Sequence, residues 1–273
     1  KLRQLFNRYA TYNGSSPFRT PATLNVIPHV EYGEGAFAAR HGIYAIPQAL
    51  HHLAEELGVR FHFNTPVDRI AYQGGDSLQS SGADRQQRVG GRRRAIKGLE
   101  IAGDTIPFDI VVSNADVSTT YQTLLSDPGA PLLKRYQRLE PSSSGMVFYW
   151  GIGKRFSELG VHNICFSSDY PREFQDLFDR RRKTDDPTIY VNISSKYSPE
   201  DAPAGHENWF TMINAPYNAG QDWDALIDQA REAAMAKVSR ILGQDIRPLI
   251  ACEDILEPRS IESKTGSHLG SLY

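Results

Sequence analysis

The apolar positions of this chain change period along its length, and those changes divide it into elements. Leu2, Leu5, Phe6 and Tyr9 share one face of a short helix over Arg3–Tyr12, which the turn-forming run Asn13-Gly-Ser-Ser-Pro17 breaks. Pro21–Val30 is apolar and reads as a helix from Pro21. After Gly42, the positions Ile46, Ala49, Leu50, Leu53, Ala54 and Leu57 follow i, i+3, i+4, i+7 spacing, and Gly58 stands where a helix C-terminus wants positive φ. Val59–Phe63 then alternates as a half-buried strand does, and Thr65–Ile70 continues it after a bend.

Residues 73–95 interrupt the pattern. They are poor in apolar residues and rich in Gly, Ser, Gln and Arg, too polar to offset the entropy of ordering. Asp68–Tyr72 and Ile96–Ile101 read as strands, so a flexible hairpin loop is expected between them, its run Arg92-Arg93-Arg94 a solvated tip rather than the alternative, a contact for anionic lipid headgroups. Thr105–Asp116 reads as one strand; the β-branched run Ile110-Val111-Val112 predicts cover on both faces. Helices are expected at Ser118–Leu125 and Pro131–Leu139.

From Ser144 short strands dominate: Met146–Ile152, Val161–Phe166, Thr188–Ser194 and Asn208–Asn214, with a helix at Pro171–Arg182 between them. Asp222–Leu242 is the longest predicted helix, with Ile227, Ala230, Ala234, Val238 and Ile241 on one face and Gly243 behind it. Ile246–Leu256 reads as a last strand.

Composition narrows the function classes. The 273 residues are 40% hydrophobic and 23% charged, ordinary for a globular protein large enough for one big domain or two. A net charge of −2 gives no field to attract nucleic acid. No apolar run approaches the roughly 20 residues that span a bilayer. Cys165 and Cys252 are far apart, which argues against a disulfide framework or structural zinc and fits a reducing cytosol.

Simple catalytic motifs are missing. His51 and His52 are adjacent, so on a helix they point about 100° apart and do not share a metal. There is no HExxH, no Gly-x-Ser-x-Gly elbow, no Walker loop and no GxGxxG between strand and helix. No metal site and no catalytic residue are assigned from the sequence. At the ends, Lys1-Leu-Arg-Gln-Leu-Phe6 reads as an uncapped helix and Gly266–Tyr273 as an unclosed loop, so the expectation is the interior of a longer chain.

Three segments point in one direction when taken in order: the glycine-led helix start Arg40–Leu50, the strand Asn64–Ile70 after that helix, and Val111-Val-Ser-Asn-Ala-Asp116. Together they resemble the middle of two-domain flavoproteins of the amine-oxidase and phytoene-desaturase superfamily. Arg8–Glu31, Ala202–Pro216 and Thr265–Tyr273 resemble bacterial carotenoid desaturases, nearest the hydroxycarotenoid 3,4-desaturase and diapophytoene desaturase branches. The resemblance covers essentially the whole chain.

That resemblance implies an α/β fold: a mixed β-sheet substrate-binding domain flanked by helices, plus a partial glutathione-reductase-like FAD-binding domain without its Rossmann glycine motif. Residues 1–40 and 121–273 would form the substrate domain, and 41–120 the residual FAD domain. FAD belongs to the full-length enzyme; these residues alone are expected to hold none and to be inactive. By resemblance, Gly42 lets backbone approach the cofactor, Val67 offers backbone hydrogen bonds to its adenine end, and Ser113, Asn114 and Ala115 run beside it. The family usually has Gly-Gly where this chain has His41-Gly42, which fits if His41 adopts the required backbone angles.

The implied chemistry is desaturation of a carotenoid or related polyene by hydride transfer to flavin. Tyr12, Phe18, Phe37, Phe148, Trp150, Trp209 and Phe210 are candidates to line an apolar substrate channel, against the alternative that strand aromatics are core. Polyenes reside in membranes, so a cytoplasmic enzyme held peripherally at the membrane is expected, with no nucleic acid and no metal as partner. A redox-neutral carotenoid isomerase and a non-catalytic prenyl-binding escort protein use the same scaffold and remain as alternatives.

Overall fold

A computed structural model describes residues 2–72 and 95–273; apart from Ala95, the loop expected at 73–95 lies outside the described residues. The chain forms two compact units, one of residues 1–29 and 140–273 and the other of residues 30–139.

The larger unit is built on a five-stranded sheet of order β5-β6-β7-β4-β8. Its strands are β4 (Ser144–Ile152), β5 (His162–Cys165), β6 (Ile189–Asn192), β7 (Glu207–Ala215) and β8 (Ile250–Leu256). The sequence reading asked only for a mixed sheet; every described pairing is antiparallel. The 20-residue helix α7 (Trp223–Leu242) packs Ile227, Ala230, Ala234, Met235 and Val238 against one face. Asp222 caps it by accepting from the Ala225 N–H at 3.2 Å. The core between them holds Met146, Phe148, Trp150, Ile152, Ile189, Val191, Trp209 and Ile213, all nearly free of solvent.

Helix α6 (Tyr170–Phe178) closes a second cluster of Tyr170, Phe174, Leu177 and Phe178. Helix α8 (Pro258–Thr265), which no periodicity announced, opens with a reciprocal cap between Glu257 and Ser260. Residues 266–273, read from sequence as an open loop, return to the start of β4: the Leu272 N–H donates to the Ser143 carbonyl at 3.3 Å and the Tyr273 N–H to Ser142 Oγ at 3.1 Å. The same unit begins with α1 (Leu2–Arg8), fixed by Gln4 Nε2 donating to the Ser167 carbonyl at 3.0 Å.

The smaller unit contains α2 (Val26–Glu34) from Val30 onward, α3 (Ala45–Glu56), a three-stranded antiparallel sheet of β1 (Arg69–Tyr72), β2 (Ile96–Ile101) and β3 (Asp104–Pro107), and the short helices α4 (Val117–Thr119) and α5 (Pro131–Tyr136). Gly58 follows α3 at φ 85°, the left-handed conformation its sequence position called for. Two expected strands do not form here. Beyond Pro107 the chain is irregular, and Ile110 and Val112 are 80% and 88% exposed rather than covered. Val59–Phe63 is also irregular; Phe61 and Phe63 stack at 5.8 Å with His51 4.1 Å from Phe61. In both segments the side-chain pattern is that of a strand, but the described residues supply no partner strand to complete a ladder.

Candidate functional site

Strand parity decides which aromatics of the larger unit are available to a ligand. Residues directly opposite in an antiparallel pair share a face. Phe148 pairs with Thr211 and Trp150 with Trp209, on the face that α7 covers. The Trp150 indole N–H donates to Glu253 Oε2 at 2.7 Å and that of Trp209 to Glu207 Oε2 at 2.8 Å, so both rings are fixed in place. Phe148, Trp150 and Trp209 are therefore fully buried core.

The opposite face carries Tyr149 paired with Phe210, Val147 paired with Met212, and on β6 Tyr190 and Asn192 opposite Met212 and Phe210. On β5, His162 and Ile164 pair with Asn192 and Tyr190. The aromatic rings form a continuous path across the strands: Tyr149 to Phe210 at 5.6 Å, Phe210 to Tyr190 at 6.3 Å, and Tyr190 to the His162 ring at 6.1 Å. Phe210, Met212 and Tyr190 are half-buried and Tyr149 is exposed. Burial pushes the Tyr149 phenol up, and the carboxylate of Asp254, its pairing partner on β8, adds to this. Both phenols on this face thus stay neutral, Tyr190 also being pushed up chiefly by burial.

Of the seven aromatics singled out from sequence, Phe210 lies on this open face. Tyr12 is joined to it through Arg8, whose guanidinium sits 6.0 Å from the Tyr12 ring and 5.8 Å from that of Tyr190. Phe18 belongs elsewhere, edge-on to Tyr170 and Phe174 at 6.3 and 6.1 Å. Phe37 is in the smaller unit and 91% exposed. Sequence reasoning missed Tyr149, Tyr190 and Met212; the alternation along Glu207–Ala215, once paired with β4, is the signal that identifies them.

In the smaller unit the flavin-contact candidates all lie on loop backbone, outside the helices and strands. His41 and Gly42 are consecutive left-handed residues at φ 66° and 86°, just before α3. Nothing lies within 4 Å of where a Gly42 Cβ would stand. Val67 is half-buried two residues before β1. Ser113, Asn114 and Ala115 are exposed. Ser113 Oγ and Thr120 Oγ1 share a hydrogen bond of 2.8 Å, and Thr120 Oγ1 also donates to the Ala115 carbonyl at 3.3 Å, which holds this loop at the N-terminus of α4. His41 holds a left-handed φ, a conformation that glycine takes without a Cβ penalty. Unobstructed backbone at 41–42 and 113–115 fits the close approach of a planar cofactor.

The family described as flavin containing amine oxidoreductase matches residues 2–265. The chain belongs to this family. The 1-hydroxycarotenoid 3,4-desaturase of Flavobacterium sp. (strain P99-3) is 42% identical over 273 residues, covering all of this chain and 52% of the relative. The 4,4'-diapolycopene oxygenase of Methylomonas sp is 35% identical over 280 residues, again covering all of this chain and 52% of the relative. The zeta-carotene-forming phytoene desaturase of Myxococcus xanthus is 35% identical over 242 residues, covering 88% of this chain and 43% of the relative. This flavin-family chain thus spans about half the length of the curated relatives it matches. Among solved structures, an oxidoreductase from Methanosarcina mazei superposes with a TM-score of 0.61 at 16% identity, over 94% of this chain and 52% of that one; it supports the fold.

Proposed function

We propose that this chain is the polyene-handling part of an FAD-dependent carotenoid desaturase, with the open aromatic face of the five-stranded sheet as the surface along which the polyene lies. The observation that carries the reading is that face: Tyr149, Tyr190, Phe210 and Met212 form a partly exposed, largely aromatic surface opposite the one that α7 covers. A conjugated chain offers only π-faces and C–H edges, and stacked and edge-on rings answer both. Relatives whose names specify carotenoid substrates, matched over the entire chain, support the same assignment.

Residues 30–139 would hold one edge of the cofactor, with Gly42 and His41 giving backbone access, Ser113, Asn114 and Ala115 running alongside, and Val67 contributing backbone groups. When bound, FAD supplies the hydride acceptor for removal of hydrogen from a carbon next to a double bond. The protein's own part is to orient the polyene, to exclude water with the aromatic face and to keep the phenols of Tyr149 and Tyr190 neutral beside it. We further propose peripheral attachment to the cytoplasmic face of a membrane, since a polyene partitions into lipid; the exposed Leu2 and Phe6 of α1, on the same unit, are consistent with this.

The test is to express the complete gene product carrying these residues, supply FAD and a linear polyene, and follow product mass and absorbance. Loss of two hydrogens per added double bond and a red shift support desaturation. A cis–trans change without hydrogen loss would make the protein an isomerase, and binding without conversion would make it an escort.

A further inference from the structure

Just beyond helix α6 lies a run of cations, Arg180-Arg181-Arg182-Lys183, that the polyene reading leaves unused. Arg181 is left-handed at φ 52°, and the Arg182 N–H donates to the Asp176 carbonyl at 2.9 Å, so the chain turns back on the helix. Arg180 and Arg182 thereby reach one carboxylate: Arg180 Nη1 donates to Asp176 Oδ1 at 2.7 Å and Arg182 Nε to the same oxygen at 3.0 Å. Arg172, one helical turn earlier, brings its Nε to 3.9 Å from Asp176 Oδ2. The Asp176 side chain is 2% exposed, whereas those of the three arginines are about half exposed. Burial alone would raise the Asp176 carboxyl, but the hydrogen bonds from Arg180 and Arg182 outweigh it and bring the group below its usual value.

The buried carboxylate fixes the arginines without neutralising them. With Asp169, Pro171 and Gln175 they line an open cavity of about 680 Å³. Their other guanidinium N–H groups have no partner among the described residues. Asp169 accepts from the Arg172 backbone N–H at 3.1 Å as the cap of α6. Three guanidinium charges against the carboxylates of Asp169 and Asp176 leave one positive charge, which matches the single negative charge of a phosphodiester. Guanidinium forks suit phosphate oxygens, and forks already held in place lose less entropy on binding.

The cavity adjoins the exposed apolar side chains of the same unit. Gln4 of α1 donates to the carbonyl of Ser167, two residues before Asp169. Leu2 and Phe6 lie on the opposite face of that helix and are exposed. Apolar side chains beside a cluster of arginines are what an anionic lipid surface engages. Resting on the membrane reading above, we propose that Arg172, Arg180 and Arg182 form a site for the phosphodiester of an anionic phospholipid, with Leu2 and Phe6 entering the lipid beside it. The unit that carries the polyene surface is then held on the membrane by a specific headgroup contact as well as by apolar insertion.

The experiment sediments the complete gene product with vesicles of phosphatidylcholine alone and of phosphatidylcholine mixed with phosphatidylglycerol. The unaltered protein should bind the anionic vesicles roughly tenfold or more tightly, since each arginine near such a surface is worth about a fivefold gain. Arg172→Gln, which removes no hydrogen bond from Asp176, should lower that affinity roughly fivefold. Arg172→Gln, Arg180→Gln and Arg182→Gln combined with Asp176→Asn strand no buried charge; this variant should bind both kinds of vesicle alike and keep its polyene affinity in detergent micelles. Arg172→Lys, Arg180→Lys and Arg182→Lys together keep the charge without the forks and should retain only part of the preference. Full preference in the lysine variant, or in the variant with four substitutions, would overturn the phosphate site. Equal binding of both vesicles by the unaltered protein would overturn it too and leave membrane attachment standing. Binding to neither would overturn both readings.

Discussion

Tyr149 and Trp150 are neighbours on β4 and face opposite sides of the sheet, the first 40% exposed and the second 1%. Each is one residue from the other's role. Trp150→Ala would empty a large volume beneath α7 and leave Glu253 without its indole donor, so it should cost about 3–5 kcal/mol of stability. Tyr149→Ala should cost about 1 kcal/mol, a typical value for a partly exposed site, while weakening polyene binding several-fold. Urea unfolding of both variants beside a polyene titration separates the two effects.

A buried ion pair ties the β6–β7 connection to the core. Glu207 Oε1 accepts from Lys196 Nζ at 2.6 Å and from the Phe156 N–H at 3.0 Å, while Oε2 takes the Trp209 indole proton. Glu207→Ala strands a cation and two donors and should destabilise by about 3–5 kcal/mol. Adding Lys196→Met should recover part of that loss, because the uncompensated charge goes with it. A double-mutant cycle by denaturant unfolding reads the coupling directly.

Acid should weaken the protein through the contact between the start of β6 and α7. Burial alone would raise the Asp186 carboxyl, but hydrogen bonds from Lys237 and Ser168 outweigh it and bring the group down to about 2. Lys237 Nζ lies 2.7 Å from Asp186 Oδ1 and 2.8 Å from the Pro187 carbonyl. A depressed folded-state value means the stabilisation is complete above the ordinary aspartate value near 4 and is lost as pH falls toward 2. The stability gap between the unaltered protein and Asp186→Asn should therefore narrow across that window and stay constant from pH 5 to 7.

Much of this architecture could be read from the sequence, and the failures share a physical cause. All the strands of the larger unit except β8 begin and end within a few residues of their expected positions, because each carries its own alternation and finds its partner within the chain. The helix ending at Gly58 was legible for the same reason, a local cap. The segments Ile110–Val112 and Val59–Phe63 have strand chemistry and no ladder, since pairing is a non-local property that side-chain pattern does not encode. Phe148, Trp150 and Trp209, candidates from aromatic content, are buried on the face that α7 covers. Which face is open depends on where α7 lies, and a strand of nine residues, apolar at nearly every position, carries no parity of its own.

His41 holds a left-handed backbone conformation that costs a non-glycine residue about 1–2 kcal/mol, less the chain entropy that glycine would lose. Gly should be tolerated there. His41→Gly is expected to stabilise by about 0.5–1 kcal/mol and His41→Val to destabilise, both read from thermal unfolding. If this turn also borders the cofactor, as proposed, His41→Gly should leave flavin occupancy of the complete gene product intact.

The most direct test of the central claim compares the affinity of one linear polyene for three forms of the complete gene product. These are the unaltered protein, the double variant Tyr149→Ala with Phe210→Ala on the open face, and Trp150→Phe on the face beneath α7. The expected result is a loss of tenfold or more in the double variant and no change in Trp150→Phe, with both variants folded by circular dichroism. Unchanged binding in the double variant, or a loss confined to Trp150→Phe, would contradict the assignment of the open face as the polyene surface.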